Sequence, residues 1–230
     1  MVPLSCGEDE GSRDLDEHRD QTLLVVCAAN VCRSPLAEFL LHRRLSGLPG
    51  FDGVMVESAG VSARAGSEIC ERVRRVERGD GFAAFAGAHR SRPISLEIVK
   101  GASLILTAST AERSAIAALA PAARSRTFTL REATALATMP GFADEADVEA
   151  DGVLDRFAAM IHGRRGFAPT SRKPTGLRRF GRSKTPADPF DIADGHLQGS
   201  AAHDRTIAQV GAVVDALTAA LPAVTPRDDA

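Results

Sequence analysis

Tryptophan and tyrosine are both absent from this chain, and ten phenylalanines supply every aromatic ring. The aromatic platforms on which single-stranded nucleic acids stack are therefore not to be expected, and nucleic acid is not an expected partner. Also missing is any apolar run of the ~20 residues that a membrane-spanning helix requires, or a short one flanked like a signal peptide, so the expected location is the cytoplasm. Four cysteines, Cys6, Cys27, Cys32 and Cys70, fall far below the density of a secreted disulfide scaffold and are read as reduced thiols. Nor is there a marked excess of charge: the formal charge is −2 and the pI about 6.3, so electrostatic recognition has to be local.

What remains is enough for one α/β domain with a substantial core, expected over residues 21–223. Residues 1–20 are acid-rich, lack apolar periodicity and read as a disordered tail, as do 224–230. Short apolar runs at 22–27, 54–58, 103–107 and 126–130 read as strands. Helical patterns are expected at 34–45, 68–78, 111–119, 131–137, 148–162 and 201–221. Strands alternating with helices imply a parallel sheet with crossover helices. The stretch at about 163–186 is rich in Gly, Pro, Ser and positive charge and has no periodic apolar face. Its cluster of Arg164, Arg165, Arg172, Lys173, Arg178, Arg179, Arg182 and Lys184 reads as a mobile solvated insert, with an acidic partner as the alternative.

The chemistry concentrates in CAANVCRS, residues 27–34. A continuously apolar strand leads into it, and Ser34-Pro35 reads as N-cap and first residue of a helix. A tight loop of backbone N–H groups leading into a helix N-terminus is an anion site. The same amides and dipole favour a thiolate, which makes Cys27 a nucleophile. Six residues later, Arg33 brings a planar guanidinium suited to two phosphoryl oxygens. Asn30 suits a left-handed turn, and the Ser34 hydroxyl suits a hydrogen bond to the sulfur.

These residues, with ESAG at 57–60 and HRSRP at 89–93, resemble the low-molecular-weight protein tyrosine phosphatases, whose signature is C-x4-C-R-S-P after a near-N-terminal strand. The resemblance implies a three-layer α/β domain with a four-stranded parallel sheet flanked by helices. It implies a phosphotyrosine phosphatase working through a phosphocysteine intermediate, with Cys27 as nucleophile and Arg33 as phosphate clamp. Ala28, Ala29, Asn30, Val31, Cys32 and Ser34 complete the phosphate-binding loop, and Asn30, Ser34, Ser58 and His89 correspond to the polar network that shapes it. No cofactor and no metal are implied. The implied partner is a phosphorylated protein, by analogy a bacterial tyrosine kinase. Cys32 corresponds to a residue that forms a reversible disulfide with the nucleophile in many relatives, the alternative being a small apolar residue. Cys6 and Cys70 read as incidental.

Two departures stand out. Family members usually have glycine where Ala29 stands, so loop geometry is expected to differ. The family's general acid is the Asp of an Asp-Pro dipeptide just before the last helix, and TPADPFDIADGHLQGS offers two: Asp188, followed by Pro189 and Phe190, and Asp194, better spaced from a helix start at Ser200 but followed by Gly195. The sequence leaves both open. Rival activities also remain open. Arginine phosphatases of this type carry Thr where Val31 stands, and thioredoxin-coupled arsenate reductases need two further downstream cysteines where only Cys70 is found. A non-catalytic phosphate-binding module is a third reading.

Overall fold

A computed structural model describes residues 21–142, 150–167, 188–196 and 198–221. The tails at 1–20 and 224–230 and residues 168–187 of the basic stretch lie outside the described residues.

Four parallel strands, β1 (Thr22–Cys27), β2 (Met55–Gly60), β3 (Leu104–Thr107) and β4 (Thr127–Thr129), form one sheet in the order β2-β1-β3-β4. Helix α1 (Arg33–Leu45) crosses from β1 to β2. Three short helices, α2 (Glu71–Val76), α3 (Phe82–Ala88) and α4 (Leu96–Gly101), lie between β2 and β3. α5 (Thr110–Leu119) and a 3-10 turn at Pro121–Arg126 lead to β4, followed by α6 (Leu130–Ala137), α7 (Val153–Gly163) and α8 (Ser200–Ala220). This is the expected three-layer architecture.

The apolar run of β1 is explained by burial on both faces. Leu23 and Val25 point into a large core shared with α1, α6, α7 and α8, while Leu24 and Val26 point into a smaller one with α4 and α5. Register places Cys27 opposite Gly60 and Val26 opposite Thr107, so the chain leaves three adjacent strands at one edge. In open parallel sheets that edge is where ligands bind.

Several boundaries differ from expectation. Helix α1 starts at Arg33, with Cys32 as a cap lacking a side-chain bond, because the Ser34 hydroxyl is turned to Cys27 instead of to its own helix. Helix α2 starts only at Glu71, since the Cys70 N–H is tied to Val31 O at 2.8 Å. β4 stops at Thr129, whose side chain and that of Glu132 form a capping box for α6. Gly199, at φ 89°, takes the cap position of α8 in place of Ser200. α3 and α4 had no counterpart among the expected helices.

The basic stretch begins differently from a mobile linker. Arg164 is buried over the Phe142 ring, and Arg165 lies 4.1 Å above the Phe128 ring while its Nε donates to Glu132 at 3.0 Å. Both guanidiniums lie against aromatic faces of the sheet and helix layer. Packing of α7 rests on Phe157, fully buried with its ring edge-on to Phe142 at 6.0 Å. Phe157→Ala is therefore expected to lower the unfolding free energy by about 3–5 kcal/mol in chemical denaturation; a loss well under 1 kcal/mol would show that α7 is not part of the cooperative core.

Candidate active site

The loop between β1 and α1 turns on Asn30, the only non-glycine with positive φ (55°) among the described residues. Ala29 is exposed and keeps a negative φ, so alanine fits where a glycine is usual. The loop closes against β2: a Cβ on Gly60 would come within 2.6 Å of Ala28 O and 2.9 Å of Asn30 N. Only glycine allows that approach.

A chain of hydrogen bonds runs from the loop toward the sulfur. The Asn30 amide donates to Ser34 Oγ (3.0 Å) and Ser58 Oγ (2.7 Å), and its Oδ1 accepts from Arg92 N (2.9 Å). Both amide hydrogens and the carbonyl are thus used. Ser34 Oγ accepts from Asn30 and lies 3.1 Å from Cys27 Sγ, with Ala59 O as a second acceptor at 3.4 Å. The Asn30 N–H also lies 3.3 Å from Cys27 Sγ. On the outer side, His89 Nε2 lies 3.0 Å from Asn30 O, and burial keeps the imidazole below its ordinary pKa, hence neutral and donating N–H to that carbonyl. Asn30, Ser34, Ser58 and His89, named from the sequence, are brought together with Cys27.

Arg33 is buried and its guanidinium is held from one side. Nη1 donates to Ile192 O (3.1 Å), Nη2 to Asp194 Oδ2 (2.8 Å), and Glu112 Oε1 lies 3.5 Å away. The two acids named from the sequence are therefore separated by their surroundings. Asp188 accepts from Phe190 N (2.9 Å), a turn within its own segment. Asp194 reaches Arg33 because the chain around it is fixed at three points: Ile192 N bonds Ala108 O (2.8 Å), Asp191 accepts from Thr110 N (2.7 Å), and Ala193 O accepts from Thr206 Oγ1 (2.9 Å). The missing proline also has a cause. Gly195 packs so tightly on α8 that a Cβ would stand 2.5 Å from Ala202 O.

Cys27, Cys32 and Cys70 are free thiols. Cys32 Sγ points to His203 Nε2 (3.0 Å), and Cys70, read as incidental, lies beside it at 3.5 Å from the same nitrogen. The hydrogen bond between the two thiols pushes Cys70 down and Cys32 up, and burial adds to the rise at Cys32. Val31 is half-buried at the edge of the main core.

Sequence reasoning missed Glu38, Glu112 and His203. Ser109-x-x-Glu112 has capping-box spacing, which marks a helix start but not a partner for Arg33. Glu38 follows Ser34 by one helical turn, a spacing that puts both on one face. Its Oε2 accepts from Ser58 Oγ at 2.5 Å, which attaches it to the network. Nothing in the local sequence marks His203.

A family model described as low molecular weight phosphotyrosine protein phosphatase matches residues 22–141. The chain is 37% identical over 110 residues to a protein-arginine-phosphatase of Geobacillus stearothermophilus, spanning 48% of this chain and 69% of that protein. It is 31% identical over 110 residues to the low molecular weight protein-tyrosine-phosphatase Ptp of Acinetobacter johnsonii, spanning 48% and 72%. Among solved structures, the YwlE arginine phosphatase from G. stearothermophilus matches with TM-score 0.52 at 23% identity, over 86% of this chain and 91% of that one. The Erwinia amylovora tyrosine phosphatase AmsI matches with TM-score 0.53 at 16% identity, over 87% and 92%. At these identities the structural likeness shows the fold. Among the described residues no helix is long and apolar enough to cross a membrane.

Burial raises the Glu38 carboxyl from 4.5 to about 7, against the opposing effects of Ser58 and Arg92. Between these values the unfolded chain gives up this proton while the folded protein keeps it, so stability falls as pH rises and the full penalty, about 3 kcal/mol, applies above pH 7. Glu38→Gln is expected to flatten the stability curve measured by urea unfolding between pH 4.5 and 7; parallel curves for the two proteins would contradict it.

Proposed function

The chain belongs to the low molecular weight phosphotyrosine protein phosphatase family, and from that premise we propose that it hydrolyses phosphotyrosine on proteins, with Cys27 as nucleophile and Asp194 as general acid. The observation that carries this reading is the pairing of a thiol at the end of β1, facing Ser34 at 3.1 Å, with an arginine six residues on that is itself paired to Asp194.

In the first step Cys27 Sγ attacks phosphorus, the S–P bond forms as the bond to the tyrosyl oxygen breaks, and Asp194 delivers a proton to that oxygen. Phosphoryl oxygens exchange with the Asp194 carboxylate on Arg33, and the released carboxylate takes up a proton from solvent or from the phosphate monoanion, which makes it the acid that meets the leaving group. Glu112 stays with Arg33 and holds the guanidinium in place as the exchange occurs. In the second step Asp194 takes a proton from water as the water oxygen attacks phosphorus, and the S–P bond breaks. The Ser34 hydroxyl donates to the departing thiolate. Arg33 and the loop amides stabilise the equatorial oxygens in both steps.

Turnover of p-nitrophenyl phosphate should vanish in Cys27→Ser. Asp194→Asn should lose roughly 10²–10⁴-fold in kcat with a poor leaving group and little with a good one, while Asp188→Asn stays close to the parent. The steep leaving-group dependence appearing in Asp188→Asn instead would transfer the acid role to Asp188.

Protein arginine phosphatase activity is a second reading, favoured by the 37% identity to an enzyme of that name. Val31 bears on it, since it has the shape of the Thr expected of that specificity but no hydroxyl. Comparison of kcat/KM on phosphotyrosine and phosphoarginine peptides is expected to favour phosphotyrosine, and Val31→Thr to shift the ratio toward phosphoarginine. A parent enzyme that already prefers phosphoarginine would establish the second reading over the first.

A further inference from the structure

Cys32, Cys70 and His203 come from the phosphate loop, the cap of α2 and the first turn of α8, yet their donor atoms lie within 4.8 Å of one another. Two thiols and one imidazole form a soft donor set, the type that selects zinc over the hard cations. Ligands on a tetrahedral zinc, at about 2.3 Å for sulfur and 2.0–2.1 Å for nitrogen, stand about 3.5–3.8 Å apart. The S···N separations of 3.0 and 3.5 Å are within roughly half an ångström of that spacing, and no two of the three donor atoms are more than 4.8 Å apart. Cys32 and His203 are buried while Cys70 is half-exposed, which provides a rigid base and an entry side. The neighbouring carboxylate is otherwise engaged, since Asp204 is paired with Arg72. The exposed ring of His196 stands edge-on to His203 at 5.1 Å between centroids, on hand for the remaining position.

We propose that the Cys32 and Cys70 thiolates and His203 Nε2 form a zinc site, its fourth position completed by water or His196. The nucleophile Cys27 is not among the donors. The ion ties the phosphate loop to α2 and to α8, the helix that follows the Asp194 segment, and it withholds the Cys32 thiolate from oxidation. On binding, each thiol releases its remaining proton and no electron is transferred. The inference stands apart from the proposed reaction, because its readouts do not involve turnover.

The test uses the full chain carrying Cys27→Ser, reduced with a phosphine under anaerobic conditions, and titrated with Co²⁺ and then Zn²⁺. The expected result is a thiolate-to-cobalt charge-transfer band with tetrahedral d–d absorption that saturates at one ion per chain and is bleached by zinc. The band should be lost in His203→Gln and in Cys70→Ser, and zinc should raise the melting temperature of the parent but of neither variant. No band, or a band that survives in both variants, overturns the proposal. Should a variant fail to fold by circular dichroism, alkylation of Cys70 in the parent decides. Strong slowing by saturating zinc upholds the site, and an unchanged rate overturns it.

Discussion

The buried amide of Asn30 holds the turn between β1 and α1 in place. Its backbone is left-handed, its carbonyl accepts from His89, and its side chain joins Ser34, Ser58 and Arg92. A buried amide with any of these bonds missing would cost about 1–3 kcal/mol, so the geometry is strongly specified. Because Asn30 donates to Ser34 Oγ, the arrangement that shapes the loop also sets that hydroxyl 3.1 Å from the sulfur. Stability of the loop and chemistry at the thiol have the same source.

The positive charge at the site is managed by two carboxylates of different character. Glu112 is buried with Arg33 and also bound by Ser109, so it is a fixed counter-charge. The Asp194 side chain is 49% exposed and attached to a segment held mainly through its backbone, so exchanging it for an anion disturbs little else. A buried guanidinium with neither partner would be strongly destabilising. One buried and one exposed carboxylate thus balance the Arg33 charge.

Legibility varied with the range of the interactions. The β1 run, the loop residues and the last helix could be read from short spacings, because burial on two faces and one-sided docking each leave a periodic trace. Short helices such as α3 and α4 leave too few turns for a period to register, and β4 lost a residue to a helix cap that competes for the same threonine. Arg164 and Arg165 looked like the start of a solvated run because composition does not reveal that each lies over a phenylalanine ring.

The sequence alone determined the reaction class, since CAANVCRS carries the proposed nucleophile, the turn residue, the proposed clamp and the hydroxyl within eight positions whose relative placement follows from local backbone geometry. The tertiary structure alone decided which acid meets Arg33 and which groups gather at Cys32. Asp194 and His203 lie 161 and 171 residues from their partners. Their meeting depends on how the residues before α8 lie along the sheet edge, fixed by Ile192 on Ala108 and Ala193 on Thr206. Such contacts between distant segments arise from packing and have no local spacing to betray them.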